Sequence, residues 1–297
     1  MRIGIDLGGT KTEAIALSSG GSELIRRRVP TRRSTYEEVV KTVAGLVEAV
    51  EADLGRSGLV GVGTPGAISP ASGLIKNANL TLLNGRALDR DLAAELDREV
   101  RLANDANCLA LSEATDGAGA GHSTVFAVIL GTGVGGGITV DRSIVTGPNA
   151  IGGEWGHNPL PWPAAEEEGG PACYCGRRGC IETYLSGPGL ADDYARVTGG
   201  SLDPPAIVDA AQRGEPAAQA TLARYVDRLA RSLATVINLL DPHVIVLAGG
   251  MSQIPGLADL VSGRWEPYVF SDRVETSLVP AAHGDSSGVR GAAWLWD

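Results

Sequence analysis

The sequence predicts an α/β protein built from two related halves, and three observations carry that reading. Residues 2–7, RIGIDL, are a short apolar run that enters a Gly8-Gly9-Thr10 turn, and an alternating run from Thr12 to Leu17 follows. That order reads as strand, tight glycine turn, strand. Residues 123–140, STVFAVILGTGVGGGITV, repeat the same plan. Segments of helical and strand periodicity alternate around the two copies, as crossover connections require. The copies lie more than 100 residues apart, which predicts duplicated domains rather than a solenoid.

The elements follow in order. Val39, Val40, Val43, Leu46, Val47, Val50 and Leu54 recur at helical spacing, so this segment is an amphipathic helix. Residues 59–63 form a strand ending at Thr64-Pro65-Gly66, and residues 89–98 are helical. VRLANDANCLALSEA predicts strand, polar turn and helix. Residues 161–170, PWPAAEEEGG, form the one expected flexible loop. A long helical pattern opens at Pro216, runs to near Leu240 and is broken by Asp241-Pro242. VIVLAGG then reads as a buried strand entering glycines.

Composition narrows the functional classes. The chain has 297 residues, 43% hydrophobic and 20% charged, as in a globular protein with sizeable cores. Its net charge is −10, from 25 basic and 35 acidic residues, which opposes nucleic-acid binding because that relies on clustered cations. The cluster Arg26-Arg27-Arg28 with Arg32 and Arg33 reads as a solvated strand edge. No signal-peptide pattern opens the chain, and no apolar run approaches the ~20 residues of a membrane helix. Four cysteines without an export signal predict a reducing, cytoplasmic setting and no membrane partner.

Glycine turns let backbone amides approach phosphates. No P-loop pattern is present. Gly131, Gly133 and Gly136 match the dinucleotide fingerprint in letters, but a strand follows them where that fingerprint needs a helix. Taken singly, each turn is as well explained as a plain hairpin. Taken together, they suggest a pair flanking a nucleotide's phosphates, with Asp6 holding a hydrated Mg²⁺. Gly249-Gly250 suits close approach of an adenosine, or an ordinary strand-to-helix turn. Asn104-Asp105-Ala-Asn107 is either a helix cap or a catalytic pair. In the second reading Asp105 is the general base and Asn104 orients a hydroxyl substrate.

Cys173, Cys175 and Cys180 fall within eight residues, CYCGRRGC. One intervening residue disfavours a Cys173–Cys175 disulfide, and a C-x-x-C redox motif is absent. Three thiols leave one position of a tetrahedral zinc site open, and His157 is the natural fourth ligand, with unligated thiols the alternative. Cys108 reads as a small core residue.

These motifs resemble, in order and over essentially the whole chain, the ROK family of sugar kinases and sugar-responsive repressors. The carriers are GIDLGGTKT at 4–12, GVGTPGAI at 61–68, NDANCLALSEA at 104–114 and GTGVGGG at 131–137, then GGEWGH at 152–157, CYCGRRGCIETYLSG at 173–187, VIVLAGGMS at 244–252 and HGDSSGVRGAAWL at 283–295. The resemblance implies an actin-like ATPase (ribonuclease H-like) fold with an interdomain active-site cleft. Residues 1–117 and about 283–297 would form a smaller N-terminal α/β domain. Residues 118–282 would form a larger one carrying the zinc loop.

By motif match, Asp6, Gly8, Gly9, Thr10 and Lys11 would be the first phosphate segment. Thr132, Gly133, Val134, Gly135 and Gly136 would be the second, with Gly249 and Gly250 also against ATP. Asp105 would be the base, and Gly66, Asn79, Asn104, Glu154, His157 and Glu182 would contact sugar. His157, Cys173, Cys175 and Cys180 would hold structural zinc. Family habit implies a homodimer using ATP and Mg²⁺. NANLTLLNG at 77–85 and GHNPLPW at 156–162 look most like the bacterial fructokinases, or mannokinases, implying transfer to O6 of fructose. Glucose, mannose or an N-acetylhexosamine are the alternative substrates. The repressor branch carries a DNA-binding segment before the Asp-Gly-Gly turn, and five residues precede Asp6 here. A non-catalytic sugar sensor is therefore the disfavoured class.

Overall fold

A computed structural model describes residues 1–296 and divides them into two compact units. The first takes Met1–Ser123, Gly137–Gly153 and the C-terminal segment from Asp285, and the second takes Thr124–Gly136 and Glu154–Gly284.

In the first unit, β1 (Arg2–Leu7), β2 (Lys11–Leu17) and β3 (Glu23–Pro30) precede α1 (Tyr36–Leu54). They are followed by β4 (Leu59–Thr64), the short β5 (Ala67–Ile68) and β6 (Ile75–Lys76), and α2 (Leu88–Leu96). Then come β7 (Val100–Asn104) and α3 (Asp105–Asp116). The sheet order is β3-β2-β1-β4-β7, antiparallel across the first three strands and parallel from β1 to β7. The Thr35 hydroxyl caps α1 by accepting from the Glu38 amide, and Gly55 ends it in the left-handed region. The buried face of α1, including Val39, Val43, Val47 and Val50, joins Ile3, Ile5, Val60 and Val62 in one apolar core.

The chain continues through β8 (Thr124–Leu130), β9 (Val134–Val140) and β10 (Ser143–Ile144). The second unit then adds α4 (Glu182–Leu185), α5 (Gly187–Thr198), α6 (Pro204–Gln212) and α7 (Pro216–Leu240). It closes with β11 (Val244–Ala248), α8 (Leu257–Ser262) and β12 (Ser277–Pro280). The second sheet has the order β10-β9-β8-β11-β12, with β8, β11 and β12 parallel. As the sequence predicts, Pro216 opens α7 and Asp241, at φ 46°, ends it.

The last helix, α9 (Ser287–Trp294), belongs to the first unit. A Cβ on Gly4 or Gly61 would overlap α9 carbonyls, and one on Gly291 would overlap the Cys108 carbonyl of α3. Glycine is therefore what allows α9 to lie directly against β1, β4 and α3.

Four sequence expectations change. No polar turn separates β7 from α3, because Asn104 is itself the cap of α3. Residues 137–153 group with the first unit rather than with the rest of 118–282, since Gly137 lies against the Ala106 backbone where no side chain fits. The first unit is then not the smaller. The arginines of β3 do lie on an edge strand, but Arg26 and Arg28 bond the buried Glu13 at 3.0 and 2.7 Å, and Arg27 bonds Asp53 at 2.6 Å. Finally, residues 161–170 are fixed through the 3-10 turn Ala165–Glu167, whose Glu167 is buried at 8% exposure.

Candidate functional site

Nine of the 22 expected site residues lie in the first unit. Asp6, next to last in β1, lies opposite Glu13 of β2. The turn between these strands closes as the Gly8 amide donates to the Lys11 carbonyl at 3.1 Å. Thr31 braces it: its hydroxyl donates to the Gly8 carbonyl at 2.8 Å and its amide to the Thr10 carbonyl at 3.0 Å. Burial, then repulsion from Asp105 and Glu13, pushes the Asp6 carboxyl up to about 6, against Lys11 and Arg28. A cation would relieve that repulsion, so the donor set fits the expected Mg²⁺.

Asp105 is the first residue of α3, half-buried. Asn104 works in two directions. Its side-chain oxygen accepts from the Ala106 amide at 2.9 Å, while its side-chain amide donates to the Gly66 carbonyl at 3.1 Å. Gly66 needs φ +76°, and a Cβ there would lie 2.8 Å from the Ala78 nitrogen. Asn84 in turn holds both backbone groups of Ala78 at 2.9 Å. Asn104 thus ties Gly66, and through it the segment carrying the exposed Asn79, to the start of α3. Cys108 is fully buried, and burial followed by the Asp6 and Asp105 charges pushes its thiol well up, as suits a core residue.

The other thirteen lie in the second unit. The Gly131 amide donates to the Gly133 carbonyl at 2.9 Å, and the Gly187 amide to the Gly131 carbonyl at 2.8 Å. The Val134 amide donates to the Glu182 carboxylate at 2.9 Å. The Trp155 indole donates to the Gly135 carbonyl at 3.0 Å, docking the 3-10 turn Trp155–His157 on the glycine strand. Glu154, exposed, precedes that turn. Gly131, Thr132 and Gly250 line a cleft of about 910 Å³ walled by Pro188, Leu202, Pro205, Met251 and Ile254. Gly249, at φ +85°, lets the chain pass where a Cβ would lie 2.5 Å from the Leu130 carbonyl oxygen. An apolar-walled cleft beside a glycine turn fits a nucleoside and its phosphates.

The four expected zinc ligands converge. Cys173 Sγ lies 3.6 Å from His157 Nδ1, Cys175 Sγ lies 3.6 Å from Cys180 Sγ, and all four donor atoms lie within 4.8 Å of one another. A tetrahedral zinc with bonds of ~2.3 Å to sulfur and ~2.05 Å to nitrogen would set the sulfur–nitrogen edge at about 3.6 Å and the sulfur–sulfur edge at about 3.8 Å. The residues therefore fit zinc. The Leu160 amide donates to the Gly179 carbonyl at 2.8 Å and the Ile181 amide to the Asn158 carbonyl at 2.9 Å, joining the histidine and cysteine arms. His157 Nε2, expected to meet a sugar, lies 3.0 Å from the Tyr174 hydroxyl.

A profile of the ROK family matches residues 2–297. The chain belongs to the ROK family. It is 40% identical to an N-acetyl-D-glucosamine kinase of Photobacterium profundum over 299 aligned residues, covering 99% of each chain. Among solved structures, a ROK hexokinase from Thermus thermophilus superposes with a TM-score of 0.88 at 31% identity, covering 98% of this chain and 96% of that one. A ROK glucokinase from Streptomyces griseus, in complex with glucose and AMPPNP, gives 0.79 at 27% identity, covering 99% and 98%. The fold is the actin-like ATPase fold of ROK sugar kinases. Among the described residues no helix is long and apolar enough to cross a membrane.

Several residues of this ROK chain that shape the site escaped the sequence reading. Thr31 supports a turn twenty residues upstream, and no local signal marks it. Tyr174 was visible inside CYCGRRGC, yet only the fold turns its hydroxyl to His157. Glu167 sat in an acidic run that read as a solvated loop. Its burial alone would raise the carboxyl, but Arg228, the Ala164 amide and Arg231 hold it below the ordinary range.

Proposed function

We propose that the protein is an ATP-dependent hexose kinase that phosphorylates O6 of N-acetyl-D-glucosamine. The observation that carries this reading is the match to N-acetyl-D-glucosamine kinases, such as that of Photobacterium profundum, over 99% of both chains. The fructose expectation rested on two short segments, and the relatives favour the N-acetylhexosamine alternative instead.

In this reading Asp105 accepts the O6 proton as O6 attacks the γ-phosphorus, and the bond to the ADP oxygen breaks. Asn104, Glu154, His157 and Glu182 orient the sugar, with Gly66 and Asn79 beside them. The glycine turns, Lys11 and the cleft at Gly250 hold ATP. When bound at Asp6, Mg²⁺ supplies charge stabilisation on the phosphoryl oxygens. Zinc on His157, Cys173, Cys175 and Cys180 supplies structural support to the sugar-contact residues. Cytoplasmic residence and a homodimer complete the proposal.

The test is ADP release with ATP and Mg²⁺ across N-acetylglucosamine, N-acetylmannosamine, glucose, mannose and fructose. The highest kcat/KM is expected for N-acetylglucosamine. A higher value for fructose would replace the substrate, and sugar binding without turnover of any hexose would end the kinase reading.

A further inference from the structure

The segment between the histidine and cysteine arms of the metal loop packs Trp162 against Tyr268, with ring centroids 5.2 Å apart, and is otherwise held by charged and polar contacts. One carboxylate oxygen of Glu167 accepts from Arg228 at 2.7 Å, and the other accepts from Arg231 at 2.9 Å and from the Ala164 amide at 2.9 Å. Arg231 also donates to the carbonyls of Pro161, at 3.0 Å, and Trp162. The Glu167 carbonyl accepts from the Tyr184 hydroxyl at 3.1 Å, and Tyr184 lies two residues beyond Glu182 on α4. Asp193 of α5 completes the cluster by pairing with Arg228 at 3.2 Å. Glu167, Arg228 and Arg231 are all buried.

Beneath the segment lies a cavity of about 540 Å³ lined by Glu167, Gly170, Tyr184, Asp193 and Arg228. Gly170 sits directly against Gly179, where a Cβ would lie 2.7 Å from the Tyr184 hydroxyl. The loop is tied to the cysteine arm by Arg178, which donates to the Gly169 carbonyl at 2.8 Å, to α4 by Tyr184, and to α7 by Arg228 and Arg231.

We infer that Glu167, held between Arg228 and Arg231, is a positioning residue that brings His157 and the three cysteines to metal-binding separation and places Glu182 for substrate. The consequence for sugar rests on the proposed kinase reading; the consequence for the metal does not. A buried carboxylate satisfied by two guanidinium groups has a narrow range of permitted positions. Replacing its charge frees the 161–170 segment, and the two ligand arms then close at an ordering cost when zinc binds.

The experiment is competition between the zinc-loaded full-length protein and a chromogenic zinc chelator, with kinetics on the same samples. Glu167→Gln is expected to weaken zinc about tenfold and raise sugar KM severalfold with kcat within about twofold. Arg231→Lys keeps the charge but loses the two-carbonyl grip, and is expected to weaken zinc by a smaller factor. Glu51→Gln, which breaks the Arg98–Glu51 pair in the first unit, controls for general loss of stability and is expected to leave zinc affinity unchanged. Unchanged zinc affinity in folded Glu167→Gln would overturn the inference, as would an equal loss in Glu51→Gln. Weakened zinc in a wild-type background that turns over no hexose would uphold it while ending the kinase reading.

Discussion

The Glu182 carboxylate accepts the Val134 amide across 2.9 Å, joining the helix that follows the cysteine loop to the strand that follows the glycine turn. A Cβ on Gly133 would lie 2.8 Å from the same oxygen. One side chain thus borders both the expected sugar contacts and the expected phosphate contacts. The backbone amide it satisfies lies within the expected second phosphate segment.

Gly133→Ala is expected to displace Glu182 and raise KM for both sugar and ATP, each by about threefold to tenfold. Steady-state kinetics with each substrate varied in turn provide the check. A change confined to ATP would show that the Glu182 contact does not link the two.

Asp105→Asn removes the proton acceptor while keeping size and polarity. Turnover is expected to fall by about 10²–10⁴-fold, with sugar affinity by calorimetry within about threefold. Turnover close to wild type would remove Asp105 as the base.

Asp6 carries a pH signature. Its folded-state carboxyl lies at about 6 rather than the ordinary 3.8, so the folded protein holds this proton more tightly than the unfolded chain does. Stability is therefore lost as pH rises between those two values, by up to about 3 kcal/mol, and stays lost above them. Asp6→Asn cannot ionise, and is expected to raise Tm of the Mg²⁺-free protein near neutral pH while changing it little at roughly pH 4. An equal Tm difference at both pH values would refute the assignment.

Metal removal tests the loop directly. Stripping zinc with a chelator, or Cys180→Ser, is expected to raise sugar KM by about tenfold or more while the far-ultraviolet circular dichroism changes little. A sugar KM that survives full removal of the metal would separate the cysteine loop from substrate binding.

Much of this was legible because the signals were local. The Asp6 turn, the Gly131–Gly136 turn and the bounds of α7 follow from hydrophobic periodicity and from Gly and Pro positions. Cys173, Cys175 and Cys180 declared themselves by spacing, and His157 by elimination. What stayed hidden depends on partners remote in sequence. Nothing near Glu167 reveals that Arg228 and Arg231 of α7 will enclose it, so an acidic run flanked by Gly and Pro reads as a loop. Glu13 likewise looks like an outward-facing strand residue until Arg26 and Arg28 are seen to cover it at 3% exposure. The proposed N-acetyl preference was illegible because one substituent changes few contacts, worth ~1–3 kcal/mol.

The packing of α9 against Gly4 and Gly61 has a consequence for biogenesis. The Asp6 and Asp105 scaffold is finished by a helix translated after the whole of the second unit. On the ribosome, the unit bearing the cysteine loop can close while the one bearing Asp105 still exposes the face that α9 will cover. The four residues His157, Cys173, Cys175 and Cys180 can then assemble before the scaffold that carries Asp6 and Asp105 is complete.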